Sequence, residues 1–173
     1  MVQQVERQPE PKVKLSLADL APSKREGYLE KKGAGSTLFG RRNWNRRFVV
    51  LDGGYICYFP SRKTRDQVKL VPLYPWGRPN EPRAGGAVRL VTKEKKDGRA
   101  RRVIEVDLPH WKVPTLQFAL PEEASEGDAR TGGIEEWVVS FENHLRYYAQ
   151  NDPDPNNETV KLARTAGVHG PAK

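Results

Sequence analysis

Residues 43–60 read NWNRRFVVLDGGYICYFP. Two runs rich in aromatic and β-branched residues flank Asp52-Gly53-Gly54, and adjacent glycines supply the positive φ angles that a tight hairpin turn requires. The stretch predicts two antiparallel strands, Asn43–Leu51 and Tyr55–Pro60. Outward from it, short apolar alternations broken by Gly, Pro and charge clusters predict five more strands: Gly27–Lys32, Val68–Tyr74, Ala87–Thr92, Arg102–Leu108 and Thr115–Leu120. Asp97-Gly98, inside KKDGR, repeats the turn chemistry between the fifth and sixth. Ile104, Val106 and Leu108 alternate with Glu105 and Asp107, and Leu116, Phe118 and Leu120 alternate likewise. Each sheet is therefore expected to have one wet face. Residues 75–86, PWGRPNEPRAGG, and residues 121–133 are too rich in breakers for regular structure and read as loops.

After the last strand the period changes from two to about 3.6 residues. Ile134, Trp137, Val138, Phe141, Leu145 and Tyr148 recur on one helical face, with Glu135 and Glu136 near the start and Arg146 near the end, where each suits the helix dipole. NDPDPNN then ends the helix. Residues 1–25 read as an irregular leader that only Val13, Leu15, Leu17 and Leu20 could anchor, and residues 150–173 as an irregular, polar tail. One domain, 26–149, lies between them, as expected for a chain of 173 residues.

The formal charge is +8, from 30 Lys plus Arg against 22 Asp plus Glu, which favours anionic partners. The surplus is local. Between Gly27 and Lys69 stand ten basic residues (Lys31, Lys32, Arg41, Arg42, Arg46, Arg47, Arg62, Lys63, Arg65, Lys69) and three acids (Glu30, Asp52, Asp66). The opening residues lack the apolar stretch of a secretory signal, and Cys57 stands alone, so no intrachain disulfide or cysteine metal cluster can form. Both features imply a reducing, intracellular setting. His110, His144 and His169 are scattered, with no nucleophile, P-loop, dinucleotide or metal-ligand spacing beside them, so the chain is read as no enzyme, with no cofactor and no metal. Nucleic acid is disfavoured as a partner because no helix-turn-helix, zinc finger or ribonucleoprotein-type aromatic strand is present.

Seven strands followed by one helix with a Trp on its apolar face resemble the pleckstrin homology family, and the local motifs agree. Gly27-Tyr28-Leu29-Glu30-Lys31 is similar to that family's first strand, Trp44-Asn45-Arg46-Arg47-Phe48-Val49-Val50-Leu51 to its second, Tyr55-Ile56-Cys57-Tyr58-Phe59 to its third, and Trp137 within Glu135-Glu136-Trp137-Val138 to the Trp of its helix. The resemblance implies a mostly β fold, a seven-stranded bent barrel or orthogonal sandwich capped by one C-terminal α-helix, with Trp137 as a structural plug. It also implies a binding module for phosphoinositides or acidic membrane lipid. Lys31 matches a first-strand Lys and Arg47 the last residue of a basic triplet in the second strand, whose first position is here the uncharged Asn45. Tyr58 matches a phosphate-contacting aromatic, and Lys32, Arg42, Arg62 and Lys63 stand near enough in sequence to extend a basic mouth. The loop GAGSTLFG (33–40) offers backbone amides to a headgroup and Leu38 and Phe39 to lipid tails. The expected setting is cytoplasmic and peripheral to a membrane. The alternative is a scaffold part held by residues 1–25 and 150–173 in a large assembly with acidic protein surfaces, such as a microtubule or axonemal lattice of the cytoskeleton or cilium.

Overall fold

The computed structural model describes residues 20–33, 43–77, 83, 85–122 and 132–168. Seven strands, β1 (Arg25–Lys32), β2 (Trp44–Asp52), β3 (Tyr55–Phe59), β4 (Lys69–Pro72), β5 (Ala87–Glu94), β6 (Ala100–Asp107) and β7 (Thr115–Ala119), precede two helices, α1 (Ile134–Tyr148) and α2 (Glu158–Thr165). The strands form one antiparallel sheet in the order β4-β3-β2-β1-β7-β6-β5. The sheet bends at β1, which pairs with β2 over its full length but with β7 only at Glu30↔Ala119 and Lys31↔Phe118. That short seam lets the two halves splay. At the tip of the β2–β3 hairpin Gly53 and Gly54 have φ of 60° and 87°, which residues with a Cβ rarely adopt.

α1 closes the open corner between the halves. Its Trp137 and Phe141 are fully buried, and Phe141 stacks on Phe118 of β7 with ring centroids 5.7 Å apart. Trp137 is also covered by the Arg25 guanidinium, 5.2 Å from its ring centroid. His144, on the same face, is fully buried, and its Nε2 lies 3.0 Å from the Ser23 carbonyl oxygen. Burial holds its pKa below the ordinary histidine value, against the raising influence of that hydrogen bond.

The β5–β7 half has one wet face, where Arg89 bridges Glu105 and Asp107 and Lys93 also pairs with Glu105. The β1–β4 half departs from that expectation. On β2, Val49 and Leu51 face inward while Phe48 and Val50 face outward, and on β3 Tyr55, Cys57 and Phe59 oppose Asp52, Val50 and Phe48 on the outer side. Phe48, Tyr55, Cys57 and Phe59 are all buried. Covered on both faces, Cys57 has its thiol pKa pushed up to about 12, chiefly by burial, so it is a packing residue with no reactive thiolate.

α2 supplies part of the outer cover, and it corrects the reading of 150–173 as an irregular tail. Asn157 caps the helix, its side-chain oxygen accepting from the backbone N–H groups of Thr159 (2.8 Å) and Val160 (3.2 Å). The same side chain's amide and the Thr159 hydroxyl both donate to Asp52 Oδ2, at 3.1 and 2.9 Å. Val160 and Ala163 are fully buried, and Leu162 shares a groove with Val50, Cys57 and Phe59. A Cβ on Gly53 would stand 2.6 Å from Asn157 Oδ1, so the turn needs glycine for close approach as well as for its dihedrals. The loop after β4 adds Trp76, buried against Tyr55, Tyr74 and Tyr148.

Replacing Trp137 by Ala removes the plug and is expected to cost about 3 to 5 kcal/mol, in the range of large-to-small core changes; a melting temperature lowered by only a degree or two would contradict its role. Truncation after Asn151 is expected to lower the melting temperature and to induce binding of an apolar dye such as ANS, because it uncovers the outer face of β2 and β3. An unchanged melting temperature would show that α2 adds nothing to the fold.

Candidate functional site: a basic mouth on the concave face

Strand pleating sorts the basic residues. Leu29 opposes Arg47, Lys31 opposes Asn45 and Val49 opposes Tyr58, and directly opposed residues share a face while alternate residues of one strand share it too. Lys31, Asn45, Arg47 and Tyr58 therefore stand on the concave side, continuing the row of the core residues Leu29 and Val49 to the open end of the barrel. The Lys31 ammonium lies 4.9 Å from the Tyr58 ring centroid and donates to the Lys32 carbonyl at 3.2 Å. The Arg47 guanidinium donates to the Arg46 carbonyl at 2.8 Å.

Among the described residues no carboxylate pairs with Lys31 or Arg47. Burial, and then the neighbouring Arg47 charge, hold the Lys31 pKa below its ordinary value. The Tyr58 hydroxyl is shifted the other way by burial, with Arg47 opposing the shift, so it stays a neutral donor. Two cations thus share one face, Lys31 partly desolvated, with no carboxylate counter-ion among the described residues, an arrangement an incoming anion would relieve.

Of the other described basic side chains, Lys69 of β4 opposes Tyr58 and so shares the concave face, whereas Lys32, Arg46 and Arg62 do not. Lys32 alternates to the convex face, where its ammonium is 6.0 Å from the Trp44 ring centroid, beside Arg101 at 4.5 Å. Arg46 lies 4.2 Å from the Tyr28 ring centroid on that face. Arg62 sits 5.9 Å from that of Phe48, and its backbone N–H donates to the Tyr28 hydroxyl at 3.1 Å. The grouping of Lys32 and Arg62 with Lys31 and Arg47 is therefore corrected: the pleat and these aromatic rings hold their charges on the other side of the sheet. Lys63 is exposed on the β3–β4 turn. Arg42, Leu38 and Phe39 lie outside the described residues.

A cleft of about 200 Å³ that sequence reasoning missed flanks Lys31, lined by Gly33, Val113, Thr115 and Gln117. It opens where β1 and β7 diverge beyond Lys31↔Phe118, a consequence of register that no local motif carries. Among the described residues no group of three or more His, Cys, Asp or Glu is placed to hold a metal ion.

An antiparallel sheet bent at its first strand, closed by a helix that inserts a buried Trp between the halves, decides the fold. This is a pleckstrin-homology-like fold. Over 64 residues, 37% of the chain, it is 44% identical to a PH domain-containing protein of Dictyostelium discoideum, and the chain spans 13% of that protein's length. The solution structure of the N-terminal PH domain of human ARAP2 aligns with 84% of this chain and 95% of its own, at 17% identity and a TM-score of 0.39. No protein-family model matches.

In this mouth the shared face of Lys31 and Arg47 has a measurable signature. The Lys31 ammonium should titrate below the exposed lysines by NMR, and Arg47→Gln should move it part of the way back up, since burial is the larger cause and persists. A Lys31 titration indifferent to Arg47→Gln would contradict the shared face.

Proposed function

We propose that this PH-type domain is a non-catalytic module that docks on anionic membrane lipid, taking a phosphorylated headgroup between Lys31 and Arg47 with Tyr58 as a hydrogen-bond donor. The observation that carries this reading is the pair of concave cations without a carboxylate partner among the described residues. Arg binds phosphate oxygens through a planar fork and Lys acts as a mobile point charge, so the two complement each other around one anion. The Lys31 desolvation, unfavourable in the free protein, is offset once a phosphate is bound. Such docking would place the chain at the cytoplasmic face of a membrane.

The scaffold alternative asks the tail to serve as an extended anchor for a partner. Val160 and Ala163 are instead buried in the chain's own core cluster, so this half of the argument for a lattice role falls away and lipid docking is the better supported reading.

Sedimentation with vesicles containing phosphoinositide tests it. Lys31→Ala combined with Arg47→Ala should weaken binding at least tenfold, since a hydrogen bond to a charged group is worth about 1.5 to 3 kcal/mol and about 1.4 kcal/mol is a factor of ten. Arg46→Ala combined with Arg62→Ala, on the convex face, should cost much less. Equal losses from the two pairs would mean diffuse attraction, screened over a Debye length of about 8 Å at physiological salt, and would remove the pocket.

A further inference from the structure

The cover on the convex side of the β2–β3 hairpin is incomplete. Glu26 opposes Val50 there, and Val50 opposes Cys57. Between this row and α2 runs a groove of about 290 Å³, floored by Val50, Cys57 and Phe59 and walled by Leu162. One water takes up roughly 30 Å³ of liquid, so the groove has room for several side chains. Leu162 is 39% exposed and Leu20 is 53% exposed; with Val139 they are the exposed large apolar residues among the described ones. Leu162 thus stands in the groove wall, and Leu20 stands four residues from Lys24 on the rim. The rim is acidic for so basic a chain. Glu26, Asp52 and Glu158 line it, and only Lys24, 3.5 Å from Glu26, and Lys161, 2.9 Å from Glu158, stand against these three carboxylates.

We infer that KVKLSL (12–17) of the same chain docks in this groove as an extended strap. These residues lie outside the described ones, and their sequence fits the groove in three ways. In an extended chain alternate residues share a face, so Val13, Leu15 and Leu17 turn together to the apolar floor while Lys12, Lys14 and Ser16 turn away. Lysine stems can lie along apolar surface and carry their ammonium groups to a polar edge, here the acidic rim. The tether is also short. Leu17 is seven residues before Lys24, at most roughly 25 Å of chain, which holds the strap at an effective concentration that even a weak contact can use. A partner seeking the same groove would compete with this tethered segment. The strap lies on the convex face and leaves Lys31 and Arg47 free, so the inference stands apart from lipid docking.

The test uses the full chain with a nitroxide attached at Ser16→Cys, a position that turns away from the groove. Cys57 is buried and its thiol is pushed up to about 12, so it does not take the label. In methyl NMR spectra the Val50 and Leu162 signals should be lost to paramagnetic broadening and should return when the nitroxide is reduced, while Val88 and Leu90 of β5 keep theirs. Leu15→Asp combined with Leu17→Asp in the labelled chain should restore the Val50 and Leu162 signals. Signals lost evenly over the surface, or lost elsewhere and kept at the groove, would overturn the inference, as would losses at the groove that survive the double aspartate change. In a mixture of nitroxide-bearing chain at natural isotopic abundance with isotope-labelled chain that lacks the nitroxide, Val50 and Leu162 should stay visible; their loss there would assign the groove to a second copy and overturn the strap.

Discussion

The β2–β3 hairpin has to be buried twice, and the rest of the molecule is arranged around that requirement. Its inner side chains, Val49, Leu51 and Ile56, face the barrel and are fully buried. Its outer side chains, Phe48, Tyr55, Cys57 and Phe59, are nearly as well covered. A two-layer β domain normally leaves one side of each sheet to water, and water on Tyr55 and Cys57 would forgo a large part of the hydrophobic driving force. α1 covers the inner corner, and α2 with the Trp76 loop covers outer surface near the turn. The polar contacts at Asp52 fix where α2 lands, while Val160 and Ala163 supply the apolar contact that holds it there.

The same alternation that divides apolar residues between two faces divides the cations. Lys31 and Lys32 are neighbours in sequence and Arg46 and Arg47 likewise, yet one of each pair reaches the concave mouth and the other lies against an aromatic ring on the convex side. A run of basic residues on a strand is therefore two half-runs with different chemistry. The convex cations gain electrostatic contact with Trp44, Tyr28 and Phe48; the concave pair has Tyr58 and, among the described residues, no carboxylate.

Much of this architecture is legible in the sequence. Asp52-Gly53-Gly54 announced its turn because few residues tolerate those dihedrals, and Ile134 to Tyr148 announced α1 because six apolar residues recur at helical spacing. α2 was hidden for a physical reason: an eight-residue helix that buries only Val160 and Ala163 has too little apolar periodicity to stand out, and its cap, Asn157, lies inside the segment that reads as a stop signal. Trp76 was hidden by its Pro- and Gly-rich surroundings, though a Trp amid such residues is itself a hint of a loop pinned to a core. The placement of Lys31, Asn45 and Arg47 follows from pairing register, which depends on contacts between strands. The side taken by Arg62 depends on a turn, where no alternation operates.

The nine residues of β2 separate the mouth from the place where α2 is fastened, with Asn45 near one end of the strand and Asp52 at the other. At roughly 3.3 Å per residue the two poles stand about 23 Å apart along the strand. A surface gripped at the mouth would hold the domain upright, with α2 as its far pole. Whatever contacts the exposed side of α2 would then do so clear of that surface, and the strand would act as a strut that sets the stand-off distance.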